Sequence, residues 1–199
     1  MAIGLIERDT STRILEVAED LVQIRGYNGF SYADISERLE VTRASVHYHF
    51  PSKAALGQAL IARYSVAFLA ELDRIAGSKT TAVSKLAAYI DVYAGVQVSG
   101  RMCLCGMLAA ELPTLPDPMQ LAVQSFFTSN QRWVADVLAQ GETDGTLRSA
   151  GPFEDNAAVI ISTLEGAMLI SRPDHSADRF THVAAQLLTL LATDTVLRS

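Results

Sequence analysis

The residues best placed to do chemistry lie in a long stretch of the chain that contains no acidic side chain. From Val41 to Ala70 there is no Asp or Glu, but there are three basic side chains and two histidines: Arg43, His47, His49, Lys53 and Arg63. Such a stretch suits contact with phosphates, because no carboxylate repels the polyanion. Arg43 and His47 are four residues apart, so they share one face of a helix. The pattern indicates a nucleic-acid contact.

The two cysteines, Cys103 and Cys105, offer a second possible chemistry. Side chains two residues apart on a helix point in different directions, so we expect no disulfide between them. The four histidines are not spaced to complete a metal site with them. We expect Arg101 and a helix N-terminus to lower the pKa of the Cys103 thiol. Cys103 is therefore either a reactive thiol or a buried structural residue.

The sequence lacks the motifs of common enzyme classes. It has no Gly-x-Ser-x-Gly, no His-Glu-x-x-His, no phosphate-binding loop and no dinucleotide fingerprint. The pair His47 and His49 would diverge on a helix. We therefore predict no catalytic residues, no metal site and no cofactor.

Composition sets further bounds on the protein class. The chain has 199 residues, of which 49% are hydrophobic, and a net charge of −6, which excludes a wholly basic nucleic-acid binder. Apolar runs such as Met102–Ala110 are far shorter than the roughly 20 residues needed to cross a bilayer. Met1–Asp9 shows no signal-peptide pattern. We therefore expect a cytoplasmic protein without membrane spans.

Apolar residues recur at helical spacing throughout, and no strand pattern stands out. A first helix carries the stripe Ile14, Ala18, Leu21 and Val22 and ends at Gly26. Two short helices follow, at about Tyr32–Leu39 and Arg43–His49, with Ser31 and Thr42 as N-caps. A helix-turn-helix and an ordinary helical hairpin both fit this spacing.

Longer helices follow Ser52, which we expect to cap the first of them. Proline and glycine mark the breaks, with Asp117 as a further cap. The predicted fold is all-α with about nine helices, divided into a three-helix domain over residues 1–52 and a larger helical bundle over residues 53–199. The predicted long helices are Lys53–Ala76, Thr81–Ser99, Arg101–Leu112, Pro118–Gln140, Phe153–Ser171 and Ala177–Leu197.

The sequence from Thr42 to Lys53, TRASVHYHFPSK, resembles the recognition-helix signature of TetR-family transcriptional repressors. The preceding segment from Gly26 to Ile35 resembles the family's link between its first two helices. Glu40 departs from the pattern, because relatives often carry glycine in this turn. The resemblance implies an N-terminal helix-turn-helix domain, a helical effector domain and a homodimer on a near-palindromic double-stranded DNA operator.

Individual roles are implied by the same resemblance. The recognition helix would open with residues that reach base edges, and Arg43 is the best candidate for a bidentate guanine contact. His47 would touch a base or the backbone, and the remaining positions resemble phosphate contacts. The alternatives to a phosphate contact are that Tyr48 is a packed aromatic residue and that Lys53 is a solvated charge. The implied DNA-binding residues are Thr42, Arg43, Ala44, Ser45, His47, Tyr48, His49 and Lys53.

The second part of the chain supplies methionines and aromatics for an effector cavity, although each could simply be a core residue. We predict a small apolar or aromatic effector that releases DNA. The candidate ligand-binding residues are Tyr89, Tyr93, Met102, Cys103, Met107, Phe126, Phe127 and Trp133.

The last two predicted helices have enough apolar surface to form the homodimer. Their apolar residues are Ile161, Leu164, Met168, Phe180, Val183, Ala184, Leu187 and Leu191, and the small residues expected to allow close approach are Ala157, Ala158, Gly166 and Ala167.

Two other functions remain open. The segment from Cys103 to Glu111 resembles that of a TetR subset in which a cysteine senses oxidants or electrophiles, so Cys103 itself could be the switch. A helical adaptor that has lost DNA binding is the other alternative.

Overall fold

A computed structural model describes residues 9–173 and 178–197, and nearly all of them lie in helices. The helices are α1 (Thr10–Arg25), α2 (Tyr32–Leu39), α3 (Arg43–His49), α4 (Lys53–Ser78), α5 (Ala82–Val98), α6 (Leu104–Ala110), α7 (Asp117–Asp144), α8 (Phe153–Ser171), α9 (Asp178–Leu191) and α10 (Asp194–Leu197), with a 3-10 turn at Leu112–Thr114. The predicted all-α fold is confirmed.

The short N-terminal helices form where their caps predict them. Ser31 and Asp34 make the expected capping pair, since the Ser31 backbone N–H donates to Asp34 Oδ2 at 2.8 Å. The Thr42 hydroxyl accepts from the Ser45 N–H, and the Ser52 hydroxyl accepts from the Ala55 N–H, each at 3.1 Å. These bonds satisfy N–H groups that a helix start leaves unpaired.

The start of α6 and both ends of α7 differ from the sequence predictions. α6 begins at Leu104 because the Met102 N–H donates to the Gln23 carbonyl, which holds the preceding segment extended against α1. Asp117 lies inside α7, whose N-cap is Pro116. Gly141 does not end α7, which continues to Gly145, a residue in the left-handed region with φ 71°.

The final predicted helix is two helices in the structure. α9 ends at Leu191, and an isolated β-bridge between Leu147 and Ala192 interrupts the chain before α10. The Arg148 N–H donates to the Leu191 carbonyl, so the loop after α7 fixes this break. The predicted start at Ala177 lies outside the described residues.

The core of the larger unit is built around α4, α5, α7 and α8. α4 is, among the described helices, the one long and apolar enough to cross a membrane by length and composition. In this fold it is a core helix instead, because Leu60, Leu72 and Ile75 are buried against neighbouring helices and its other side carries Glu71 and Arg74.

The first turns of α4 also belong to the packing of the N-terminal unit. Leu56 and Leu60 are buried, and a side chain added at Gly57 would meet Met119 of α7 and the ring of Tyr27. The predicted boundary between residues 52 and 53 lies at the start of α4, whose first turns pack with both units.

Candidate DNA-binding surface and effector cavity

The recognition helix α3 is anchored by one face and exposed on the other. Val46 is fully buried and Phe50 nearly so, as their spacing predicts. The Tyr32 hydroxyl donates to the Phe50 carbonyl at 2.9 Å and ties the end of α3 to α2. Burial raises the pKa of Tyr32 to about 12, so this hydroxyl keeps its proton. The anchor fixes which side chains face outward.

The outward residues of α3 are those expected to read DNA. Thr42, Arg43 and Ala44 are exposed at its start, and Tyr48 is 84% exposed, so it is not a packed aromatic. The His47 ring lies 4.6 Å from the Tyr32 ring, which restricts its orientation. Ser45 and His49 are only partly exposed, and the His49 ring contacts the edge of Tyr48 at 5.2 Å.

Lys53 takes a different position from the other predicted contacts. Its ammonium donates to the Phe30 carbonyl and lies 4.2 Å from the centre of the Phe30 ring and 4.8 Å from that of Tyr27. Desolvation lowers the pKa of this partly buried amine. In this conformation Lys53 fastens α4 to the loop after α1, and a phosphate contact would need its side chain to turn outward.

Arg63 is the last basic residue of the stretch without acids, and its side chain points to α1 and away from the exposed face of α3. Its guanidinium lies 3.7 Å from a Glu16 oxygen and 3.8 Å from a Glu19 oxygen, both on α1. The absence of acids along the sequence therefore does not extend to the space around Arg63. Within the stretch without acids, the exposed cationic side chain of α3 is Arg43.

Glu40 occupies the turn between α2 and α3 with φ 56° and ψ 39°. Within the described residues it is the one non-glycine residue with positive φ. This left-handed region favours glycine because a Cβ crowds the backbone there. The turn keeps the expected geometry despite the glutamate.

A cavity of about 440 Å³ opens between α6, α7 and α8. Its walls are mostly apolar, and three polar residues face it: Gln131, Ser162 and Glu165. The other lining residues are Met102, Gly106, Met107, Ala109, Ala110, Phe127, Ala158, Ile161, Gly166 and Leu169. A concave, apolar site of this size with few polar groups is typical of small-molecule sites.

The cavity includes some of the predicted ligand residues and leaves out others. Met102, Met107 and Phe127 line it. Tyr89 is fully buried in the core, where its hydroxyl donates to Asn130 at 2.9 Å and its ring stacks on Trp133. Phe126 packs on Phe68 of α4. Tyr93 and Cys103 instead border a small void beside Tyr64.

Glu165 is the cavity residue that the sequence analysis missed. It is the one charged residue between Ala157 and Ile170 on an otherwise apolar stretch of α8. The position of a single acid within an apolar run was the signal that the sequence offered. Such an acid either reaches solvent or is buried. Here burial raises the pKa of Glu165 to about 7.

Cys103 lies at the start of α6 as predicted, but its environment is opposite to the expected one. The thiol is 2% exposed and accepts from the Gly106 N–H at 3.5 Å. Burial and the neighbouring Glu165 carboxylate raise its pKa well above the ordinary value. Arg101 does not offset this effect, since it pairs with Asp20 of α1. The expectation of a lowered thiol pKa was wrong.

Cys105 is fully buried and its thiol pKa is also raised by burial. Both cysteines are free thiols. Within residues 9–173 and 178–197, no group of three or more His, Cys, Asp or Glu side chains could hold a metal ion.

α6 connects the cavity directly to the N-terminal unit. At its C-terminal end Glu111 Oε2 accepts from the Tyr27 N–H at 2.6 Å, and Oε1 accepts from the Asn28 N–H at 3.3 Å. Gly26 has φ 84°, and a Cβ there would approach Glu111 Oε1 to 2.8 Å, so glycine leaves room for the carboxylate. The same helix thus forms a cavity wall and holds the loop before α2.

Much of the apolar surface predicted for dimerisation is used inside the chain. Ile161, Leu164, Met168, Phe180, Ala184 and Leu187 are buried, as are Ala157 and Ala167. Ala158 and Gly166 line the cavity. These residues pack against the chain's own helices because α8 lies between α7 and α9 and contacts both. The apolar side chains left exposed on this side are Val159, Leu169, Ile170 and Leu190.

Comparison with known proteins agrees with the helix-turn-helix assignment. Residues 14–60 match the family model for bacterial regulatory proteins of the tetR family. Residues 81–186 match the model for the C-terminal domain of LmrA/YxaF-like transcriptional regulators. The first match extends into α4, as does the packing of the N-terminal unit.

Individual relatives align over most of the chain. A TetR-family regulator from Agrobacterium tumefaciens is 33% identical, covers 92% of this chain and 97% of its own, and superposes with a TM-score of 0.88. A TetR regulator from Legionella pneumophila is 32% identical over 96% and 100% of the two chains, with a TM-score of 0.83. The transcriptional regulator AcuR of Cereibacter sphaeroides is 27% identical, covering 78% of this chain and 75% of its own. The chain therefore belongs to the TetR family of transcriptional regulators, which are DNA-binding transcription factors rather than enzymes.

Proposed function

We propose that the protein is a cytoplasmic homodimeric repressor that binds a palindromic operator and leaves it when a small apolar or aromatic effector occupies the cavity between α6, α7 and α8. The observation that carries this proposal is the double role of α6. Met107 lies in the cavity wall, and Glu111 of the next turn bonds to the loop that precedes α2. A molecule that displaces α6 therefore acts on the DNA-binding unit through hydrogen bonds.

Three further contacts support this route. The Met102 N–H donates to the Gln23 carbonyl at 3.1 Å, Arg101 pairs with Asp20, and Arg172, directly after α8, donates to the Ile24 carbonyl. All of them join the cavity region to the C-terminal half of α1. These contacts reach the DNA-binding unit without passing along α4, the helix that follows the recognition helix.

The roles proposed in DNA binding follow the exposure of each residue. Arg43 is the candidate for guanine recognition, with Thr42, Ala44, Ser45 and His47 beside it at the base edges. Tyr48, His49 and Lys53 are proposed as backbone contacts, Lys53 only after leaving Phe30.

The stripe Val159, Thr163, Gly166 and Ile170 on α8 supports the homodimer. These residues recur at helical spacing along one face, and Val159 and Ile170 are 61% and 52% exposed. With Leu190 of α9 they form an apolar patch that a symmetry mate would cover. Two recognition helices about 34–36 Å apart would then fit successive turns of a DNA major groove.

Covalent switching through Cys103 is the second candidate. Its position at the start of α6 favours it, because modification there would move the same helix. Its burial and raised thiol pKa disfavour it, since the thiolate is the reactive form.

A binding experiment tests the proposal. Duplexes selected by the protein from a random library should contain an inverted repeat, and binding should weaken steeply with salt. Sedimentation should give one dimer per operator. A monomer that binds all duplexes alike, or binds none, would contradict the repressor function.

A further inference from the structure

The cavity between α6, α7 and α8 contains a buried carboxyl group that is only partly satisfied. Glu165 Oε1 is shielded from solvent and has no hydrogen-bond partner. The Cys103 thiol, a weak donor, lies beside the carboxyl group. An unsatisfied buried oxygen is costly, so a hydrogen-bond donor that reaches it is favourable.

The absence of a side chain at Gly106 makes room for the carboxyl group of Glu165. A Cβ at Gly106 would lie 2.3 Å from Glu165 Oε2 and 3.3 Å from Oε1. Gly106 and Glu165 both line the cavity. Glycine at this position of α6 therefore gives the carboxyl group its place beside the open space.

The remaining polar groups of the cavity do not supply a positive charge. Among the described lining residues there is no Lys, Arg or His. Gln131 uses one of its two amide N–H groups to donate to the Glu154 carbonyl, which leaves its oxygen and its second N–H available. Arg172 is close by but donates to the Ile24 carbonyl and contacts the Met107 sulfur. The lining that the structure describes thus contains one acidic group, no cationic side chain, and two neutral polar side chains that can donate or accept.

We infer that the effector is a small apolar molecule carrying a protonated amine, and that the ammonium group binds Glu165 while the apolar body lies against Met102, Met107 and Phe127. This inference rests on the proposed effector-release function for the identity of the cavity. Oε1 does not contact the open space in this conformation, so the Glu165 side chain has to turn from Gly106 toward the cavity to accept from the ammonium group, and in a low-dielectric site such a pair is strong. A carboxylate effector would instead meet a like charge.

A matched series of probes tests the chemical class. 4-Phenylbutylamine, 4-phenyl-1-butanol and 4-phenylbutanoate share one apolar body and differ in the head group. Their binding can be followed by calorimetry and by the fluorescence of Trp133, the single tryptophan, which stacks on Tyr89 in the core beside the cavity helices. We expect the amine to bind at least tenfold more tightly than the alcohol, and the acid to bind most weakly.

Two variants and one control assign the effect to Glu165. Glu165→Gln should reduce the amine preference to within about threefold of the alcohol while leaving alcohol binding intact. Gly106→Ala should lower amine affinity as well, because the new methyl group displaces the carboxyl group. Glu154→Gln changes an exposed acid of the same helix and should bind like the unmodified protein.

The pH dependence gives a readout that needs no variant. Amine affinity should rise between pH 6 and 8 as Glu165, whose pKa is about 7, becomes ionised. The titratable groups that face it are Tyr64, Tyr89, Tyr93, Cys103 and Cys105, and burial raises the pKa of each. None of these raised pKa values produces a slope near neutral pH.

The outcomes separate this inference from the proposed function. Absence of amine binding at about 1 mM, equal binding of amine and acid, or an unchanged amine preference in Glu165→Gln would overturn it. Operator release is measured separately by fluorescence anisotropy of labelled duplex. Glu165-dependent amine binding without DNA release would keep the amine-binding site and contradict the proposed effector function.

Discussion

The backbone N–H of Tyr27 donates to Glu111 Oε2 across 2.6 Å and joins the loop after α1 to the end of α6. Glu111 also accepts from the backbone and the side-chain amide of Asn28, which in turn donates to Thr114 at 2.7 Å. One carboxylate therefore holds a loop of the DNA-binding unit by several charge-assisted hydrogen bonds. Its position makes it the most direct test of coupling between the cavity and DNA.

Glu111→Gln should weaken that coupling. The amide keeps the shape but loses the charge, so the free energy of unfolding should fall by about 1–3 kcal/mol. Effector affinity should be nearly unchanged, whereas the ratio of operator affinities without and with effector should shrink toward one. Anisotropy titrations with and without effector measure this ratio. Glu142→Gln, an exposed acid on α7, is the control; an unaltered ratio in Glu111→Gln would rule out this route.

Arg43→Ala should lower operator affinity by about 1–3 kcal/mol per half-site and relax the base preference at one position. The reason is that Arg43 is exposed at the start of α3, where a fork of N–H donors can reach a guanine. Binding to a panel of single-base operator variants measures the preference. Arg132→Ala removes an exposed arginine of α7 and should change neither value. Equal effects of the two variants would show that Arg43 acts through charge alone.

Glu40→Gly should stabilise the protein by about 0.5–1 kcal/mol, because glycine adopts the observed φ of 56° without steric cost. Thermal or urea unfolding measures the change. Glu37→Gly places the same substitution at an exposed position inside α2, where it should cost up to about 1 kcal/mol. The opposite signs test whether the turn geometry, rather than loss of the acid, decides the outcome.

Because of Glu165, the free energy of unfolding should fall as the pH rises from about 4.5 to about 7. Its folded-state pKa of about 7 lies above the ordinary value of 4.5, so the folded protein retains a proton that the unfolded chain releases in this window. The loss should reach about 3 kcal/mol and then level off. Urea unfolding at several pH values should show the slope in the unmodified protein and in Glu154→Gln, but not in Glu165→Gln. A slope that survives in Glu165→Gln would assign it to other groups.

The two thiols should react slowly with alkylating reagents in the folded state. Cys103 is 2% exposed, Cys105 is fully buried, and burial raises the pKa of both. We expect modification by iodoacetamide to follow local opening of the structure and to accelerate strongly in urea. Mass spectrometry of timed reactions gives the two rates. Rapid modification of Cys103 alone in the native protein, with loss of operator binding, would favour the covalent switch over the reversible effector.

The sequence by itself determined the N-terminal unit almost completely. Capping residues at Ser31, Thr42 and Ser52 act on N–H groups two or three residues away, so local chemistry defines where α2, α3 and α4 begin. Val46 and Phe50 had to face inward once α3 was a helix, and Arg43 and His47 outward. Periodicity is a local property, and a short helix expresses it directly.

The tertiary structure decided which residues of the larger unit are buried, which line the cavity and which are paired. These properties depend on residues that are distant in the sequence. Arg101 is two residues from Cys103 in sequence, yet it pairs with Asp20, and the thiol meets Glu165 instead. The apolar residues of α8 and α9 gave no sign of whether they would face their own chain or a partner. Burial depends on which helices pack together, and that packing places Glu165 and Phe127 in the cavity wall while Tyr89, Tyr93 and Phe126 are buried in the core.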